Sequence, residues 1–202
     1  MIERLERVAE RPVSRETFEK LERYVALLRE ESRRQNLVAA STLDHLWDRH
    51  ILDSAQIVRF EPYPVASWAD IGSGAGLPGI VIACLVEGRV TLVEPRRLRA
   101  DFLHRAAESL QLRVEVRCAK VERVEGSFEV ITARAVTNLA KLLQISAHLS
   151  TRKTVWALPK GKNALAELSD ARRSWQGEFR VERSVTDADS YIVVGTGIRA
   201  RK

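Results

Sequence analysis

The chain has 202 residues, 45% apolar and 30% charged, the balance of a soluble globular protein with one domain or one domain and an appendage. Its longest apolar stretch, AGLPGIVIACLV, is too short to cross a bilayer, and the charged N-terminus has no apolar signal core, so a cytoplasmic protein is expected. The net charge of +6 is uneven: residues 95–123 carry eight basic against four acidic side chains and residues 150–202 carry 11 against six, which suits a polyanionic partner such as nucleic acid.

Residues 15–34 place Phe18, Leu21, Tyr24, Val25 and Leu28 at helical spacing behind a cap region at Ser14. A second helix is expected over 42–59, opened by Thr42 and carrying Leu46, Trp47, Ile51, Leu52 and Val58. FEPYP, 60–64, breaks the pattern. Two or three short helices bury little alone, so residues 1–64 read as a helical extension packed on a core domain of residues 65–202. From residue 65, β-like runs (VASWADI, RVTLVEP, RVEVRCA, FEVITAR, TVWALPK, FRVERSV, SYIVVGT) alternate with helical patterns at 77–86, 96–111, 137–149 and 162–175. The expected class is α/β, a mostly parallel seven-stranded sheet covered on both faces. The last two strands are joined by TDAD without a helix, which predicts an antiparallel hairpin at the edge. Cys84 and Cys118 form no metal or disulfide spacing, and no metal is expected.

DIGSGAGLPG, 70–79, lies between the first strand and its helix, where open α/β sheets bind ligands. Gly72, Gly74 and Gly76 allow close backbone approach, and Pro78 fits a first helical turn. Two cofactors compete for this loop. GAGLPG satisfies the dinucleotide pattern, with Glu94 20 residues after Gly74 at the end of the next strand. S-adenosylmethionine is the other: Asp70 would face its amino group and Glu94 its ribose hydroxyls. Asp70 and the terminal hairpin favour the methyl donor.

Taken together, DIGSGAGLPGIVIA (70–83), RHILDS (49–54), VEPRRLRADFL (93–103), AKVE (119–122), TARAV (132–136) and LPKGK (158–162) resemble, in order, the motifs of the glucose-inhibited division protein B family, bacterial small-subunit rRNA guanine-N7 methyltransferases. The resemblance spans roughly residues 15–197. It implies a class I methyltransferase fold with added N-terminal helices, S-adenosylmethionine contacts at Gly72, Leu77, Val121, Glu122 and Arg134, and 16S rRNA or the small ribosomal subunit as partner. Lys120 stands where the family usually has arginine, and Pro95 follows Glu94 where many relatives have a small residue.

The residues that are missing bear on the chemistry. TARAV occupies the place where exocyclic-amine methyltransferases carry an Asn/Asp-Pro-Pro-aromatic loop, and neither cysteine has the Pro-Cys setting of a pyrimidine carbon nucleophile. Guanine N7, the target the resemblance implies, already presents a lone pair, so alignment and electrostatics suffice there without a dedicated base. Arg134 and Lys160 are the catalytic candidates, with Arg134 expected to hold the cofactor carboxylate or a phosphate. Arg49, Arg96, Arg97, Arg99, Lys160 and Lys162 are the expected RNA contacts; Arg49 on the second helix is read as closing over the substrate pocket, and His50 beside it as a structural histidine bonded to a neighbour. The sequence is silent on assembly, and a monomer is the working expectation. A dinucleotide-dependent oxidoreductase and a non-catalytic RNA-binding protein are the alternatives.

Overall fold

The computed structural model describes residues 1–201; Lys202, the last residue of the expected core domain, lies outside the described residues. Seven strands form one sheet: β1 Trp68–Ile71, β2 Val90–Val93, β3 Val114–Arg117, β4 Phe128–Thr132, β5 Ser150–Lys160, β6 Trp175–Arg183 and β7 Tyr191–Ala200. Their order is β3-β2-β1-β4-β5-β7-β6. The expected antiparallel hairpin is present at one edge of the sheet. β7 inserts between β5 and β6 and is antiparallel to both, so β6, the edge strand, runs with the rest of the sheet.

The helices are α1 Ile2–Ala9, α2 Arg15–Glu31, α3 Asp53–Ala55, α4 Gly79–Leu85, α5 Arg97–Ser109, α6 Leu139–Ser146 and α7 Ala164–Ala171. Ser14 caps α2, its hydroxyl accepting from the Thr17 N–H at 3.0 Å. The helix expected over 42–59 is a relay of windings instead. A 3-10 stretch at Ala40–His45 leads to a π-wound turn at Trp47–Leu52, then α3, then a 3-10 stretch at Gln56–Phe60. Pro78 stands just before α4, after a cis Leu77–Pro78 bond, rather than inside its first turn. Among the described residues no helix is long and apolar enough to cross a membrane.

Strand alternation sorts the core into two faces. Trp68, Leu92, Val130 and Ala157 pack with α4, α5 and the N-terminal helices, while Ala69, Ile71, Ile131 and Trp156 pack with α6 and α7. Leu5, Leu21 and Leu28 are fully buried in the first of these clusters, beside Ile80 and Leu103. Each such leucine contributes about 1.5–3 kcal/mol through burial, so the N-terminal helices share one core with the sheet.

β1 occupies the switch point, because β2 and β3 continue on one side of it and β4 and β5 on the other. Asp70 is in register with Leu92 on one side and Thr132 on the other. The glycine loop after β1 and the 133–138 loop after β4 therefore face each other across the crevice.

Candidate functional site

Gly72, Gly74 and Gly76 all have positive φ, at 69°, 56° and 91°. The loop they form is held from three directions. Its Gly72 and Ser73 N–H groups donate to the Val93 carbonyl at 2.8 and 3.0 Å. The Gly74 N–H donates to Glu94 Oε2 at 2.8 Å, and Glu94 Oε1 accepts from the Arg96 N–H at 2.8 Å. From α2, the fully buried Tyr24 hydroxyl donates to the Ala75 carbonyl at 2.7 Å.

A cavity of about 420 Å³ opens at the carboxyl ends of β1 and β2. Gly72, Glu94, Val121 and Glu122, four of the expected cofactor contacts, line it together with Pro95, Arg96, Arg99, Lys120, Val136 and Ile145. Its walls are mixed: Val93, Pro95, Val121, Val136 and Ile145 are apolar, Arg96, Arg99, Lys120 and Glu122 are charged, and the Glu94 carboxylate sits at the glycine loop.

Asp70, Gly74, Gly76 and Leu77 do not line this cavity. Leu77 is buried in the apolar core. Gly76 packs on Ile80, Leu103 and Tyr24. Asp70 alternates onto the α4 face of the sheet, where Oδ2 accepts from the Gly79 N–H at 3.1 Å. Burial pushes its carboxyl up to about 6, against the Gly79 N–H bond that favours the charge. An acid already seated at the N-terminus of α4 repels a pyrophosphate, which is the group a dinucleotide would place there.

Across the switch point, two adjoining cavities of about 280 and 300 Å³ share Asp53, Arg134 and Ala135. Arg134 does not face the first cavity, where a cofactor contact was expected. Its Nη1 lies 3.3 Å from Asp53 Oδ2 and its Nη2 donates to His50 Nδ1 at 3.2 Å. His50 is therefore the Nε2–H tautomer and donates to Thr42 Oγ1 at 2.8 Å. Burial first, and the Arg134 charge second, pull His50 down to about 4. Ala135 lines all three cavities and holds φ 56°, a left-handed conformation costing a non-glycine residue roughly 1–2 kcal/mol.

Lys160 also departs from expectation. It is not open to a phosphate: Nζ donates to the Thr137 carbonyl and to Glu167 Oε2, both at 2.9 Å. Arg49 pairs with Asp187 at 2.8 Å, joining RHILDS to the β6–β7 loop. Arg96, Arg97 and Lys162 are exposed; Arg97 pairs with Asp101, and the half-buried Arg99 donates to the Asn36 carbonyl.

Sequence reasoning missed Asp53, Gln56, Glu167 and Thr186. Asp53 Oδ1 accepts from Gln56 and Thr186, each at 2.9 Å, and Gln56 bonds Ser184 and the Val185 N–H. The available signal was Asp53 three and four residues after His50 and Arg49 within the quoted motif, which puts polar groups on one helical face.

Comparison with known proteins agrees with this architecture. The family model for rRNA small subunit methyltransferase G matches residues 17–191. The ribosomal RNA small subunit methyltransferase G of Zymomonas mobilis subsp. mobilis is 47% identical over 199 residues, covering 94% of this chain and 90% of the relative. That of Rhizorhabdus wittichii is 46% identical over 195 residues, covering 94% and 89%. Among solved structures, a SAM-dependent methyltransferase from Aquifex aeolicus aligns with a TM-score of 0.62 at 15% identity, covering 82% of this chain and 97% of that one. M. jannaschii TYW2 in complex with AdoMet aligns with a TM-score of 0.56 at 14% identity, covering 75% and 76%. These distant likenesses carry the fold, a class I methyltransferase sheet. The glycine loop, the motifs in order and the near full-length identity to the first two relatives go further: this chain belongs to the rRNA small subunit methyltransferase G family.

Proposed function

We propose that this protein methylates N7 of a guanine in 16S rRNA, in the cytoplasm, with S-adenosylmethionine bound in the cavity beside Glu94. The observation that supports this reading best is the meeting of three cavities at Ala135. The cavity beside Glu94 opens on one side of that residue and a charged, hydrogen-bonding site on the other, so two ligands could approach each other at one point.

Bound beside Glu94, S-adenosylmethionine would supply a methyl on a sulfonium sulfur, which the N7 lone pair would accept with the S–C pair returning to sulfur and no proton leaving. The residues of the chain then have four tasks. Glu94 holds the ribose hydroxyls while bracing the glycine loop. Val121 and Val136 enclose the adenine. Asp53 and His50 fix Arg134 on the acceptor side, where its remaining N–H groups meet the RNA. The Asp53 carboxylate, close to the same point, favours the positive charge that arrives on the base.

The deciding experiment is chemical cleavage mapping of N7-methylguanine in 16S rRNA from cells with and without the protein. One N7 site present only with the protein is expected; an unchanged N7 pattern, or a methyl on another atom, sinks the reading.

RNA docking is assigned to the exposed arginines and lysine on the same edge of the sheet. Arg96→Ala, Arg97→Ala and Lys162→Ala combined should flatten the slope of log affinity against log salt by roughly 2, at about 0.7 per lost contact to single-stranded phosphate. Filter binding across a salt series measures this; an unchanged slope moves the RNA to another face.

A further inference from the structure

We infer that Glu167 reads the Watson–Crick edge of the target guanine, which makes it a specificity-determining residue. This rests on the N7 reading above and deepens it.

Glu167 lies on α7 and lines the 280 Å³ cavity with Lys160, Asp53 and Arg134. Its two oxygens have different surroundings. Oε2 accepts from Lys160 Nζ at 2.9 Å and from the Leu139 N–H at the start of α6 at 2.8 Å. Oε1 has no hydrogen-bonding partner among the described residues, although the side chain sits at a cavity wall. The exposures point the same way: Lys160 is 9% exposed and Glu167 27%. The ammonium is walled in by the Thr137 carbonyl and the carboxylate, and the carboxylate is the end of the pair that reaches open space.

An ionised carboxylate only accepts hydrogen bonds. A base that enters with N7 turned toward Ala135 presents its opposite edge to the far wall. In guanine that edge carries N1–H and the N2 amine, both donors. Adenine also has an N7 lone pair, but its N1 is an acceptor and would confront Oε1 with a second acceptor. One free carboxylate oxygen, fixed through its twin by Lys160 and Leu139, therefore distinguishes two bases whose reacting atoms are equivalent.

Glu167→Gln isolates that oxygen. Its carbonyl keeps the bonds from Lys160 and Leu139, while its amine replaces Oε1 with a donor. Small ribosomal subunits from cells lacking the enzyme, with guanine or adenine at the mapped nucleotide, are methylated by the full-length wild-type and E167Q proteins. On guanine, kcat/KM for E167Q should fall about 10- to 100-fold, the range for one charge-assisted bond. The guanine-over-adenine ratio should fall at least tenfold, with S-adenosylmethionine affinity by calorimetry unchanged. Full activity of E167Q overturns the inference. So does an activity loss with an unchanged base ratio, or one that follows a loss of cofactor affinity, since either marks a purely positional pair. If wild-type product maps to an atom other than N7, the parent reading fails and this one with it; if it maps to N7 and E167Q keeps its base ratio, only this one fails. A second measurement needs no variant: guanosine monophosphate should compete with RNA at least tenfold better than adenosine monophosphate, and equal competition overturns the assignment.

Discussion

Gly76→Ala unfolds the protein more readily by about 2–5 kcal/mol, and Gly74→Ala, two residues away, by only about 1–2 kcal/mol. Both glycines have positive φ, so both alanines incur the left-handed penalty. Their surroundings differ. A Cβ on Gly76 would lie 2.6 Å from Ile80 Cγ1, and 3.0 Å from both Leu103 Cδ2 and the Tyr24 hydroxyl, all of them buried. Overpacking of this kind adds roughly 1–3 kcal/mol. A Cβ on Gly74 would meet nothing closer than an Arg99 nitrogen at 3.5 Å, at the end of a flexible side chain. Urea unfolding of the two variants measures the gap. S-adenosylmethionine binding should weaken in Gly76→Ala, because Ile80 and Tyr24 cannot retreat without moving the Ala75 carbonyl that Tyr24 holds. Equal stability of the two variants would mean that the loop yields to the new methyl, contrary to its bracing by Tyr24 and Glu94.

The loop was the legible part of the site because its signals are local. Glycine spacing, a preceding apolar strand and Glu94 at the next strand end all lie within one βαβ unit. The alternation of strands and helices was legible for the same reason. What escaped depends on contacts distant in sequence. Asp53 meets Arg134 across 81 residues and Thr186 across 133, and no periodicity reports such a meeting. Lys160 follows a run of β-like residues and so reads as an exposed charge; its burial comes from Thr137 and Glu167, on two other segments. The apolar spacing over 42–59 is compatible with several helical windings, so it marked a buried helical face and left the π-wound turn unseen. A two-strand hairpin also leaves open which strand lies inside, and here β7 does, buried through Ile192, Val193 and Val194 between β5 and β6.

Arg134→Ala should lower kcat 10²- to 10³-fold and leave the dissociation constant for S-adenosylmethionine within about threefold. Arg134 lines the two cavities on the β5 and β7 side and not the cavity beside Glu94. Arg134→Lys should fail almost as badly, because an ammonium is a point charge and cannot span Asp53 and His50 as the guanidinium fork does. Asp53→Asn tests the same unit from the other end. Its amide oxygen can keep the bonds from Gln56 and Thr186, but its amine would face Arg134 Nη1, donor against donor, and release the guanidinium. If the pair acts as one device, the Arg134→Ala/Asp53→Asn double variant is no slower than Arg134→Ala alone. His50 supplies an independent readout. The Arg134 charge is one of the two main causes holding it near 4, so its removal raises the His50 pKa while burial still keeps it below the ordinary value. The fold favours neutral His50, so this contribution is intact above about pH 6.5 and is lost as pH falls toward 4. In Arg134→Ala that acid-side loss should be smaller, which pH-dependent unfolding and an NMR titration of the His50 ring both measure. A large fall in cofactor affinity, with His50 unmoved, would return Arg134 to the cofactor carboxylate and detach it from the acceptor side.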